Sequence, residues 1–254
     1  MTDIYIVSGA RTAIGTFGGS LASFRPADLG TIVIKEAIAR AGLTPDKIEN
    51  VVIGTVVPTQ PKDAYVSRVA AVNAGVPIES PAMNVNRLCG SGLQAIVSAA
   101  QGIALGEQKI AIGGGAEVMS NAPHMVLTAR NGQKMGDQVM MDAMLGALHD
   151  PFENIHMGVT AENVADRLAI SREEQDALAV ESHKRAAAAT AAGYFKEQIV
   201  PVEVKTRKGV TVFDADEHFR ADASVEAMAA LRPAFEKDGT VTAGNARSEE
   251  RRVG

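Results

Sequence analysis

One cysteine in 254 residues leaves no intramolecular disulfide to staple the fold, and with only five scattered histidines it leaves no cysteine-rich zinc site. Basic charge is also scarce, and a formal net charge of -5 gives no footprint for nucleic acid. The local exception, Lys205-Thr206-Arg207-Lys208, precedes Gly209 and reads as a hairpin turn in preference to a phosphate site. Nor is a secretory leader expected. Met1 to Asp3 run straight into strand-like Ile4-Tyr5-Ile6-Val7, with no basic segment followed by an apolar one. A reducing cytoplasm is the expected location, and neither membrane nor nucleic acid is an expected partner. With 46% hydrophobic and 22% charged residues the chain can still bury a sizeable core, and it shows no internal repeat.

What is present, up to about Ser120, is an alternation of strand and helix signals. Pro26 opens a helix whose Leu29, Ile32, Val33 and Ile38 recur at helical spacing, and Gly42 stops it. Val51 to Val57 is a short β-branched run bounded by Pro58, which predicts a buried strand. A helix from Val66 to Ala74 stops at Gly75. Ala82-Met83-Asn84-Val85 is the next strand, a helix through Leu93, Ile96, Val97 and Ala100 follows, and Ile110-Ala111-Ile112 then enters a glycine triplet. This order predicts an α/β layered domain around a largely parallel, buried sheet.

Beyond Ser120 the texture changes. Met125, Met135, Met140, Met141, Met144 and Met157 read first as core filling and second as a flexible apolar face. Ser171-Arg172-Glu173-Glu174 is a capping box for a helix that runs to a stop near Gly193. Ile199 to Val204 and Val210 to Phe213 read as a hairpin around Gly209. His183, flanked by Glu181, Lys184 and Arg185, and His218, after an acidic run, read as exposed polar residues.

Chemistry concentrates at Asn86-Arg87-Leu88-Cys89-Gly90-Ser91-Gly92, where the only cysteine stands between a strand and a helix. A lone cysteine is most often a small core hydrophobe. Glycine on both sides of Ser91 points the other way, because residues without a Cβ let a substrate carbonyl approach the main chain. The unpaired N–H groups and dipole of a helix start favour an anionic sulfur, so Cys89 is the candidate nucleophile.

Four segments together resemble the thiolase family: Asn86 to Gly92; Gly113-Gly114-Gly115-Ala116-Glu117-Val118-Met119-Ser120; His156-Met157-Gly158-Val159-Thr160-Ala161-Glu162-Asn163; and Gly239 to Ala246. The resemblance is strongest to bacterial β-ketothiolases and runs from Asp3 to Ala246, including Val7 to Gly15. It implies a thiolase-like layered αβαβα fold of which this is the first half. The implied division is an incomplete N-terminal α/β half at 1–120, an inserted loop domain for coenzyme A binding and oligomer contacts at 121–246, and a non-native tail at 247–254. After Ala246 the family continues with serine and small apolar residues, whereas Arg247 to Gly254 is mostly charged.

The implied reaction is reversible cleavage of a 3-ketoacyl-CoA by CoA, or condensation of two acyl-CoA molecules, with Cys89 carrying the acyl group. Acyl-CoA and CoA are then substrates, with no tightly bound cofactor and no metal, and the complete protein forms a homo-oligomer, a dimer or tetramer. Residue by residue, Leu148, His156, Met157, Arg220, Met228, Leu231, Ala234, Phe235, Ala243 and Gly244 fall on coenzyme A contacts. Arg220 offers charge and a stacking plane, and Leu231 and Phe235 an apolar strip; core packing is the alternative for Leu231, Ala234 and Phe235. Ala227 and Arg247 stand where the family often has serine. The base cysteine, the Gly-His-Pro histidine and the Asn-Glu-Ala-Phe motif belong to the family's second half and do not occur here, so no turnover is expected of this chain alone. A condensing enzyme of the ketoacyl synthase type and a non-catalytic CoA-binding module are the alternative readings.

Overall fold

A computed structural model describes residues 3–207 and 209–246, so the tail expected from Arg247 lies outside the described residues. These residues form two compact units. The first takes the chain up to Ala143 and again from Gln198 to Ala215, and the second takes Met144–Glu197 and the described residues from Asp216 onward. The texture change at Ser120 and the packing boundary therefore differ. Residues 121–143 and the hairpin near Gly209 pack with the first unit.

All the strands among the described residues belong to that unit: β1 (Arg11–Thr12), β2 (Asn50–Gly54), β3 (Ala82–Val85), β4 (Ala111–Gly115), β5 (His124–Met125), β6 (Met141–Asp142), β7 (Ile199–Val200), β8 (Val202–Thr206) and β9 (Gly209–Phe213). Its helices are α1 (Pro26–Arg40), α2 (Val66–Asn73) and α3 (Ser91–Ala104). The heart is a parallel sheet in the order β3-β2-β4, with Val51 opposite Ala82 and Ile112. Parallel neighbours need long crossovers, and α2 and α3 supply them. Successive β2 side chains point to opposite faces. Val51 and Ile53 join Ile34, Ile38, Val66 and Ala70 beneath α1 and α2, while Val52 packs with Ala95 and Ala99 of α3. Each such burial contributes about 1.5–3 kcal/mol. Burial on both faces is why β2 reads as a continuous apolar run and not as an alternating one.

A second core of this unit gathers Ala13, Leu21, Leu29, Val118, Val202, Val204 and Phe213 around the antiparallel β8–β9 pair and the short parallel β1–β7 pair. Gly209, at φ 126°, opens β9 as the turn reading requires; Lys208 lies outside the described residues.

Two expectations need correction here. Ile4 to Val7 form no strand, and Ile6 is 82% exposed. The run has the composition of a strand, but no described strand lies alongside it, and an unpaired strand has no ladder to stabilise it. Most of the methionines do not fill a core either: Met125, Met140, Met141 and Met157 are exposed, Met135 is 90% exposed, and only Met144 is half-buried. The two-residue β5–β6 pair is the only regular element among the described residues between 124 and 142, too small to gather a core around them.

The second unit is helical. It holds α5 (Met157–Leu168), α6 (Arg172–Ala191), α7 (Val225–Ala229) and all but the first residue of α4 (Ala143–Ala147). The Ser171 hydroxyl accepts from the Glu174 N–H at 3.2 Å and the Glu174 carboxylate accepts from the Ser171 N–H at 2.8 Å, so the capping box forms as read. Gly193, at φ 77°, follows the helix end. His183 corrects another expectation: it is 4% exposed, and its Nδ1 accepts from the Arg220 N–H at 3.1 Å. Its charged neighbours in sequence occupy other faces of α6. Asp176, Val180, His183 and Ala186 form one buried stripe at three- and four-residue spacing.

Among the described residues no helix is long and apolar enough to cross a membrane, and no cluster of ligating side chains could hold a metal ion.

Candidate functional site

Cys89 is exposed in the turn joining the carboxyl end of β3 to α3. It stands one residue ahead of the N-cap, Gly90, and two ahead of Ser91, the first helical residue. The turn is sharp enough to hold Leu88 in the left-handed region at φ 48°. Three side-chain bonds secure it. Asn86 Oδ1 accepts from the Leu88 N–H at 3.0 Å, and the buried Ser91 hydroxyl accepts from the Arg87 N–H at 2.8 Å while donating to the Leu88 carbonyl at 2.6 Å. An exposed thiol on a fixed turn at the carboxyl ends of parallel strands is where an open α/β sheet presents its chemistry.

The sheet can approach α3 this closely only through glycine. A Cβ on Gly54 would come within 2.5 Å of the Ser91 backbone, and one on Gly113 within 2.6 Å of the Ile96 Cα. At Gly92 and Gly114, by contrast, a Cβ would meet nothing within 4 Å. Gly92 thus has open space at its Cβ position beside the cysteine turn.

Glu117 follows β4 at the same edge of the sheet. Its carboxylate accepts from the N–H groups of Val56 at 2.8 Å and Val57 at 3.1 Å and from the Thr55 hydroxyl at 3.5 Å, which explains why β2 ends at Gly54 and not at Val57. Burial pushes the Glu117 carboxyl above the usual carboxylate range; those bonds oppose the shift and the Asp63 charge reinforces it.

The ten residues read as coenzyme A contacts all lie in the second unit, whereas Cys89 belongs to the first. His156 caps α5 by accepting the Gly158 N–H on Nδ1 at 2.9 Å, and its ring stacks on Phe235 with centroids 4.7 Å apart. The Met157 N–H donates to the Leu148 carbonyl at 2.8 Å. Pro233 bridges Thr242 and the Ala234 N–H donates to the Val241 carbonyl at 2.9 Å, which lays 233–235 beside 241–242. Gly244 faces Met228 and Leu231 so closely that a Cβ would collide with both side chains. Nine of the ten therefore fall on segments tied directly together, with exposed Ala243 between Thr242 and Gly244. Arg220, also exposed, connects instead to α6 through His183.

Glu162 lies within the quoted segment His156 to Asn163, but the motif reading gives it no role. Buried Glu162 accepts from the N–H groups of Thr240 and Val241 and from the Thr240 hydroxyl, at 2.7–2.8 Å. Burial raises its carboxyl, but these bonds and the Arg172 charge outweigh that and hold it below the usual carboxylate range. One signal could have found it, since Gly158, Glu162 and Ala165 share the buried face of α5 at helical spacing.

The family profile described as thiolase, N-terminal domain, matches residues 4–248. Beta-ketothiolase BktB of Cupriavidus necator is 62% identical over 245 residues, covering 96% of this chain and 62% of that protein. An acetyl-CoA acetyltransferase of Paracoccus denitrificans is 49% identical over 247 residues, covering 97% of this chain and 63% of that protein. The crystal structure of human mitochondrial 3-ketoacyl-CoA thiolase in complex with CoA superposes with a TM-score of 0.91 at 39% identity, covering 95% of this chain and 60% of that one. The chain thus spans less than two thirds of the length of each of these relatives. It belongs to the thiolase family, matching that family's N-terminal domain over nearly its whole length.

Proposed function

We propose that this chain is the acyl-carrying part of an acyl-CoA C-acyltransferase, with Cys89 as nucleophile and the surface from His156 to Gly244 as the coenzyme A contact. The observation that carries the reading is the exposed Cys89 on its secured turn, within a match to thiolases that covers nearly the whole chain. In the first half-reaction the Cys89 sulfur attacks the thioester carbonyl and the carbonyl electrons move to oxygen. Collapse of that tetrahedral oxyanion expels the CoA thiolate and leaves an acyl–cysteine. In the thiolytic direction the 3-ketoacyl carbonyl is attacked, the carbon–carbon bond breaks and acetyl-CoA leaves as its enolate, which takes up a proton; free CoA then removes the acyl group from sulfur. Condensation is the reverse and needs a base for the α-proton and donors for the enolate oxygen. On the family resemblance both are supplied by residues outside this sequence.

In the second unit the stacked His156 and Phe235 rings, with Leu231, give an apolar strip suited to the pantetheine arm, and exposed Arg220 is assigned to the nucleotide end. We further propose a homo-oligomeric complete protein in the cytoplasm. The exposed apolar side chains at Leu127, Met135 and Val139 are of the kind a subunit contact covers.

The deciding assay pairs the natural full-length gene product with the 254-residue chain, each given acetoacetyl-CoA and CoA. The full-length protein is expected to turn over and its Cys89→Ala variant not to, while the chain alone stays at background. Turnover by the full-length Cys89→Ala variant would remove Cys89 from the mechanism. Arg220→Ala in the full-length protein is expected to weaken use of CoA thioesters more than of pantetheine thioesters, and equal losses would move Arg220 out of the nucleotide site.

A further inference from the structure

We propose that Arg172 is the positioning residue that couples the two sides of the coenzyme A surface, an inference that rests on the assignment of that surface above. Its guanidinium, in the first turn of α6, reaches in two directions. Nε donates to Asp176 Oδ2 at 2.7 Å, and Nη2 donates to the carbonyls of Met228 at 2.7 Å and Leu231 at 3.1 Å. The other Asp176 oxygen accepts from Asn245 Nδ2 at 2.9 Å, and Asn245 Oδ1 accepts from the Thr242 N–H at 2.7 Å. One ion pair therefore joins the segment carrying Met228 and Leu231 to the segment carrying Ala243 and Gly244.

The pair is largely withdrawn from water, the Arg172 side chain being 19% exposed and that of Asp176 3%, so its bonds are charge-assisted and weakly screened. What it sets is visible at Gly244, whose face leaves no room for a Cβ against Leu231 and Met228. Glu162 grips the same 240–241 stretch from α5, but its bonds reach only that side. Arg172 holds the 228–231 side directly and, through Asp176 and Asn245, is bonded to the other as well. A lysine could not replace it, because a single ammonium lacks the planar fork needed to face a carboxylate and two carbonyls together.

The test uses the 254-residue chain as wild type, Arg172→Met and Arg172→Lys, with Arg185→Met as a control at an exposed ion pair of the same helix. Amide hydrogen exchange without ligand reads the coupling, and calorimetric titration with CoA reads the surface. In Arg172→Met, exchange is expected to quicken about tenfold or more in both 228–231 and 240–245, the size expected for losing a charge-assisted bond, with amides of β2 unchanged. CoA binding is expected to weaken by a similar factor, Arg172→Lys to recover only part of either effect, and Arg185→Met to show neither. If Arg172→Met does not fold, Arg172→Lys carries the same comparison. Faster exchange in only one segment, or in neither, would overturn the coupling whatever CoA does. Coupled exchange in a wild-type chain that binds no CoA would overturn the assignment of the surface instead.

Discussion

The Phe235 ring lies nearly parallel to that of His156, with 21° between planes and 4.7 Å between centroids, and it occupies the space where Gly158 would carry a side chain. One glycine thus sets the distance between the start of α5 and the 233–235 segment. Gly158→Ala is expected to force the rigid ring away and to destabilise the second unit by about 1–3 kcal/mol, the usual cost of overpacking. Denaturant unfolding followed by signals assigned to Phe235 and His156 checks this. An unchanged midpoint would show that the stack yields without cost.

Two carboxylates are expected to titrate on opposite sides of the ordinary glutamate value of about 4.3. The folded-state value of Glu162 is lowered, so its contribution to stability is present above that ordinary value and is lost as pH falls through the folded one. The folded-state value of Glu117 is raised, so its contribution favours folding below the ordinary value and is lost as pH rises through the folded one. Carbon-detected NMR titration of the two side-chain carboxyls distinguishes them directly. Identical midpoints would contradict the contrast drawn between a carboxyl whose burial outweighs its donors and one whose donors and neighbouring cation together outweigh its burial.

Gly113→Ala and Gly92→Ala separate packing from access. The first places a Cβ against the α3 backbone, which cannot rotate away, and is expected to cost about 3 kcal/mol or more of stability. The second meets open space and is expected to leave stability unchanged or raise it by about 0.4–1 kcal/mol, since it restricts the unfolded chain. In the full-length protein the same Gly92→Ala is nevertheless expected to slow acylation of Cys89 by crowding the substrate carbonyl. Thermal unfolding beside a single-turnover assay checks both halves; normal acylation in Gly92→Ala would remove the access argument.

The parallel sheet was legible because β2 carries the short β-branched run of a buried strand and the helices around it end on glycine stops, Gly42 after α1 and Gly75 after α2, both at positive φ. The strand-to-helix turn that carries Cys89 was legible because glycines stand on both sides of Ser91. The misreadings have a common cause. Ile4 to Val7 have strand composition but no described neighbour, and His183 has charged neighbours in sequence but lies on the buried stripe of its helix. Glu117 and Glu162 carried no local signal of their work because the backbone groups they hold lie 60 to 79 residues away. Local spacing can mark such a residue as buried, but only the fold supplies its partner.

The central claim is that Cys89 carries the acyl group. Incubating the natural full-length gene product with acetyl-CoA, quenching in acid and mapping peptides by mass spectrometry tests it most directly. The account predicts one acetyl group on the peptide bearing Cys89, discharged by added CoA and absent from Cys89→Ala. An acetyl group on any other residue that CoA discharges, or acetylation that persists in Cys89→Ala, would contradict it.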